Sequence, residues 1–275
     1  GDVVAQVYII GYSEWRHIAS PVTTTLNYYI KDYAFSKLEG QASAYVWNNS
    51  TSNWDLTNGL THAVNENTPL NLFFGSSFGT VFTTLPHLIE LTGAIHTGSV
   101  TNNLVYNVPS NTADFIDPND ADGWNMIANP YPSGLDWTSI SGDFGSILIN
   151  GSYYIYNEEL SQYSSHNGSI PGDPSDLSVN GVIAPNQAFF VKLDDPSAAG
   201  SGVLNLTNTD RTAAKSKFLK KDEPVLFLKV EDQNNKLDYH VIAFNEIASR
   251  DYDSRFDAYK LKSPNAEVPM FYSTI

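Results

Sequence analysis

The stretch GWNMIANPYPSGLDW, residues 123–137, sets a tryptophan, an isoleucine and two prolines around one asparagine. The pattern occurs twice: WRHIASPV at 15–22 aligns with WNMIANPY at 124–131, an offset of 109 positions. Without a gap, forty positions keep ten identities, from Trp15 to Ser52, where chance gives about two or three. What recurs is apolar and turn chemistry: Trp, Ile, Ala, Pro and Leu are kept, whereas Asn129 stands at the place of Ser20 and Pro132 at that of Thr23. That chemistry describes a strand and its exit. Alternation puts Trp15 and Trp124 on the opposite strand face from Ile18 and Ile127 unless a bulge intervenes. Proline donates nothing to a ladder and holds the preceding residue extended, so each copy leaves its sheet as a stiff corner. Any function special to the second copy sits in what differs, and Asn129, Tyr131, Trp137 and the longer loop near His166 are its candidate ligand contacts.

Outward from the repeat, short alternating segments such as AQVYII, SAYVW, NLFF, SYYIY and QAFFVKL are separated by NNSTSN, NPYPSG and HNGSIPGDPSD. The separators carry the Gly, Pro, Asn and Asp that turns require. Helical stretches are short, around YAFSKLEG and LDWTSI. The expected fold is therefore all-β: two related antiparallel β-sandwich, jelly-roll-like units with a C-terminal strand segment. The first unit takes residues 1–112 and the second 113–213. The second copy has about nine extra residues in the region of HNGSIPGDPSD before IAPNQAFFVKL takes the place of NENTPLNLFFG. Residues 214–275 supply a hairpin, EPVLFLKVE and LDYHVIAFN around DQNNK, and a last strand, VPMFYSTI, against the second unit.

Thirty acidic against fifteen basic residues give a net charge of −15, which repels nucleic acid and anionic lipid alike. No apolar run reaches the ~18 residues of a membrane span. The absence of cysteine excludes disulfides and thiolate metal sites and leaves the compartment open.

The candidate binding residues are aromatic. Tyr45, Trp47 and Trp54 recur as Tyr154, Tyr156 and Tyr163. Residues two apart share a strand face, and an Asn- and Ser-rich turn brings Trp54 back on the next strand. Trp47, Trp54, Tyr156 and Tyr163 would form a platform for sugar rings if exposed and coplanar, and a cross-strand core cluster if buried. The residues themselves favour core. DFIDPNDADGW offers Asp117, Asn119, Asp120 and Asp122 to a hard cation such as Ca2+, the one cofactor weighed. The spacing departs from an EF-hand, with Ala121 where a ligand is needed and no twelfth-position Glu, and a solvated loop is the simpler reading.

Enzyme signatures are poor. GSSFG at 75–79 matches G-x-S-x-G, but the nucleophile elbow needs a strand-to-helix turn in a parallel sheet that nothing here predicts. Six histidines show neither H-x-H nor H-E-x-x-H spacing.

GWNMIANPYPSGLDW, YYIYN, IAPNQAFFVKL, LNLTNTDRT and FDAYKLKSPNAEVPMFYS resemble, in order, the β-rich region that precedes the C-terminal sorting domain in secreted and surface proteins of Bacteroidota. WRHIASPV and YVWNNSTSNW look like the repeat that precedes it. The resemblance implies export by the type IX route, a place on the cell surface or in the medium of a Gram-negative bacterium, and flanking domains in a longer polypeptide; it brings no catalytic residue. The expected function is a non-catalytic extracellular module for adhesion or polysaccharide binding. The alternatives are a structural spacer beside a secreted hydrolase and a cryptic glycan-active enzyme, whose two carboxylates would stand roughly 5–9.5 Å apart in a cleft.

Overall fold

The computed structural model describes residues 1–9, 14–30, 42–74, 87–107, 122–142, 151–157, 161–166, 181–193, 201–214, 225–243, 258–263 and 265–273. The chain is all-β, built of several small antiparallel sheets, and the described helices are short turns such as α1, Asn27–Ile30, and α2, Trp137–Gly142. The reading of YAFSKLEG as helical lies outside the described residues.

The first copy contains β1 (Asp2–Ile9), β2 (Glu14–Ile18), β3 (Val22–Thr25), β4 (Ala44–Asn48), β5 (Asn53–Leu56), β6 (Ala63–Val64), β7 (Leu70–Phe74) and β8 (His87–Ile95). They form two sheets with strand orders β1-β8-β3-β6 and β2-β7-β4-β5. The strand that opens the repeat, β2, thus lies in one sheet, and the Pro21 corner delivers β3 to the other. Val7 and Leu91 from the first sheet meet Ile18, Leu70 and Leu72 from the second in one buried apolar cluster.

The second copy repeats this order. Its strands are β9 (Val100–Val105), β10 (Trp124–Ala128), β11 (Gly134–Asp136), β12 (Tyr153–Asn157), β13 (Gln162–His166), β14 (Val182–Ile183), β15 (Ala188–Lys192), β16 (Ser201–Leu206) and β17 (Arg211–Thr212). The sheet β10-β15-β12-β13 matches β2-β7-β4-β5 strand for strand. The match to β1-β8-β3-β6 is broken in one place: β16 pairs with β9, and β17 with β11, as two pieces of what is one strand, β8, in the first copy. The break is a 3-10 turn, Asn208–Asp210, held by a capping box between Thr207 and Asp210. Its core gathers Leu104, Ile127, Leu135, Ile155, Phe189 and Leu204.

The boundary drawn at residue 112 moves. β9 pairs along its length with β16, and Val100 and Leu104 are buried in the second core, so the second copy begins before Val100. Sequence similarity does not mark this strand, because the aligned block starts only at Trp15 and Trp124. The sign of strand alternation holds in both copies: Ile18 and Ile127 enter the two cores, while Trp124 faces a third cluster on the opposite side. The glycine that opens the quoted stretch is required. Gly123 has φ +75°, and a Cβ there would lie 2.0 Å from the Leu193 carbonyl oxygen.

Residues C-terminal to the copies form the expected hairpin, β18 (Val225–Glu231) with β19 (Leu237–Ala243). The last strand read from VPMFYSTI is absent among the described residues 268–273. Pro269 has no N–H for a ladder. Its carbonyl instead accepts from Gln162 Nε2 at 3.2 Å, and Phe271 N–H donates to Asp238 Oδ2 at 2.5 Å.

Candidate functional site

The sheets β2-β7-β4-β5 and β10-β15-β12-β13 turn their outer faces toward each other, and the recurring aromatic residues meet there. Cross-strand register puts Trp47 opposite Trp54 and, in the second copy, Tyr156 opposite Tyr163. His17 stands between these pairs, its ring 5.4 Å from Trp54, 5.5 Å from Tyr156 and from Tyr163, and 5.6 Å from Phe190. Burial depresses His17 to a pKa of about 3, so it is a neutral ring at ordinary pH. Trp47 and Tyr156 are buried, at 8% and 4% exposure, whereas Trp54 and Tyr163 are half-buried. The rings do not form a flat platform. Trp47 crosses Trp54 at 76° and Phe190 at 88°, the edge-to-face geometry that aromatic quadrupoles favour in a packed cluster.

The hairpin tips lock the two faces together in reciprocal fashion. Ser52 and Ser161, equivalent in the repeat, both adopt positive φ, 48° and 53°. Ser161 Oγ donates to Glu14 Oε2 across the copies at 2.9 Å, and Ser52 Oγ reaches the Trp124 carbonyl at 3.5 Å. Asn49 accepts from Met126 N–H at 2.8 Å. Ile18 and Gln187 add a bridge between β2 and the second copy. Glu14 is buried, and burial raises its carboxyl above the ordinary glutamate range against the hydrogen bonds from Trp15 N–H and Ser161.

Between the faces lies a cleft of about 210 Å³. Its walls are Trp15, Tyr45, Trp47, Trp54 and Asn71 of the first copy and Trp124, Tyr163 and Phe190 of the second, with Leu261 and Lys262 of the C-terminal segment at one side. Two of these side chains leave a buried polar atom without a partner, the Trp47 Nε1 donor and the Asn71 Oδ1 acceptor. In the second copy Tyr259 of the C-terminal segment packs against the equivalent cluster. Phe190, opposite Met126 and Tyr154, holds the place of Asn71, which is opposite His17 and Tyr45. Tyr259 N–H donates to Tyr154 Oη at 3.0 Å, and the Lys192 ammonium lies 4.6 Å over the Tyr259 ring.

Trp47, Trp54 and Tyr163 thus come together on the cleft, with Tyr156 behind His17. Tyr45, of the same recurring aromatic set, joins them, whereas Trp15, Asn71, Trp124 and Phe190 were missed as site residues; the i, i+3 spacing of Trp and Ile carried the signal, since it turns the tryptophans away from the cores. Asn129, Tyr131 and Trp137 are corrected to structural roles. Each has no exposed surface. Asn129 Nδ2 donates to the Ser133 and Ala184 carbonyls at 2.9 Å each, and its oxygen accepts from Tyr131 N–H at 3.0 Å, closing the NPYPSG corner. Tyr131 Oη donates to the Gly98 and Leu206 carbonyls, and Trp137 Nε1 to that of Gly151. His166 is buried beside Tyr153, 5.5 Å between rings.

Asp117, Asn119 and Asp120 lie outside the described residues. Asp122 is engaged by Lys192 Nζ at 3.3 Å and by Tyr106 Oη. Among the described residues no cluster of three metal-type ligands occurs, and no helix is long and apolar enough to cross a membrane. Ser77 of GSSFG is outside the described residues.

The chain belongs to a family described as a domain of unknown function (DUF8693), whose model matches residues 5–275. No curated protein and no solved structure matches it.

Proposed function

We propose that this protein is a non-catalytic extracellular module of a secreted or surface-anchored bacterial protein, and that it binds polysaccharide in the aromatic cleft between its two copies. The observation that carries the reading is the composition of the cleft wall. Tryptophan and tyrosine rings pack against the apolar faces of sugars, while an unpaired indole donor and amide acceptor answer hydroxyls. The secreted habitat rests on the ordered motif string of the sequence, and the family match supports treating both copies and the C-terminal segment as one unit.

Each copy reads as a jelly-roll sandwich, with eight described strands in the first and the same order in the second when β16 and β17 count as the two pieces of one. The two sheet orders place sequence-distant strands side by side, whereas a propeller blade is a four-stranded meander of consecutive strands. The sheets of each copy share one core, as sandwich layers do.

A structural spacer is the second reading, favoured by the burial of Trp47 and Tyr156 and by the hydrogen bonds that join the copies. A glycan array probed with the full chain and with Trp54→Ala separates the two. Binding that the variant loses supports the module. An array without signal, or equal signal from both proteins, supports the spacer.

A further inference from the structure

Resting on the glycan reading, we infer that the cleft holds one sugar ring, at a chain end or branch, with a single hydroxyl bridging Trp47 Nε1 and Asn71 Oδ1. A buried donor and a buried acceptor without partners on one small cleft each carry a desolvation cost. A hydroxyl both accepts and donates, so one group answers both atoms; a methyl, an ether or a carbonyl does not.

The repeat makes the polar pair specific to the first copy. Asn71 and Phe190 occupy equivalent register positions, so the same β-strand site carries an amide in one copy and a ring in the other. The amide has not been replaced by the apolar side chain that the second copy tolerates, although it sits among aromatic residues.

Size restricts the occupant. A cleft of about 210 Å³ falls below the roughly 300–1,000 Å³ that enclose a drug-sized ligand. It admits one ring rather than a run of them. Leu261 and the second copy's Phe190 stand among its lining residues. Both polar atoms are shielded, so a ring reaches them only after a wall side chain shifts. Association is then slower than for an open platform.

The test is calorimetric titration of the full chain with cello-, malto-, manno- and xylo-oligosaccharides of one to six units, with Asn71→Leu measured beside it. The expected result is affinity for at least one series that reaches its full value by two units and stays flat to six. Asn71→Leu is expected to weaken that affinity tenfold or more while its melting midpoint stays at or above the parent's, because leucine removes an unpaired buried acceptor. Affinity that climbs with every added unit, or an Asn71→Leu protein that binds like the parent, overturns the single-ring inference and leaves the glycan reading standing. Heat from none of the four series overturns both.

Discussion

Asn129 is the residue whose meaning changes most between sequence and structure. In the sequence it is the polar centre of a conspicuous stretch, and a ligand contact is a natural expectation. Folded, its amide is fully spent on the backbone of the corner it sits in. Asn129→Ala is expected to cost about 2–4 kcal/mol of unfolding free energy, measured in urea, because two carbonyls and an N–H lose partners in a site with no exposed surface. A variant as stable as the parent would contradict this role. Glu14 gives a second test. Burial raises its carboxyl, so the folded chain binds that proton more tightly than the unfolded one. The linked stability is fully present below the ordinary glutamate range and is lost as pH rises through the raised folded value. Glu14→Gln keeps an acceptor for Trp15 N–H, and it is expected to melt above the parent near neutral pH and level with it at about pH 4. A variant that melts lower at neutral pH would show that the ionised form is the stabilising one.

Among elements, the C-terminal segment depends on few side chains. Asp238 is buried and accepts from Lys260 Nζ at 2.6 Å and from the N–H groups of Tyr239 and Phe271. Gln162 of β13 bonds the carbonyls of Leu237 and Pro269, and Ser263 Oγ bonds that of Ser161. Asp238→Ala is expected to lose about 2–4 kcal/mol and to expose residues 258–273 to early tryptic cleavage, since it leaves the Lys260 ammonium with Gln162 Oε1 alone and takes the acceptor from the Tyr239 and Phe271 N–H groups. Cleavage at the parent's rate would mean that the aromatic contacts of Tyr259 and Leu261 suffice. The hairpin was legible from two alternating runs around DQNNK, and the strands of the aligned block were legible from their identities. The last strand was not, because alternation in VPMFY competes with Pro269 and with side-chain acceptors far away in sequence. β9 escaped for a related reason: nothing local tells a strand which copy it will pair with.

For the whole molecule, the duplication explains both the fold and the site. Equivalent faces meet, as in an isologous dimer, and those faces carry residues that the repeat keeps or exchanges among aromatics: Trp15 with Trp124, Tyr45 with Tyr154, Trp47 with Tyr156, Trp54 with Tyr163. The sequence carried the aromatic inventory and the strand faces. It did not carry the packing of one copy on the other, which sets crossed rings around a cleft where the residues alone allow a core cluster or a flat platform and favour the core. Four of the five tryptophans, Trp15, Trp47, Trp54 and Trp124, line that cleft, and Trp137 lies in the second core with its N–H bonded to Gly151. Five indole N–H signals in a nitrogen–proton correlation spectrum therefore report the site and carry their own internal control. On titration with the oligosaccharide series above, the Trp47 indole signal is expected to move downfield as it gains an acceptor, and Trp15 and Trp54 to shift with it, while Trp137 stays in place. Four unmoved cleft signals at saturating sugar, or a shift confined to Trp137, would contradict a glycan site between the copies.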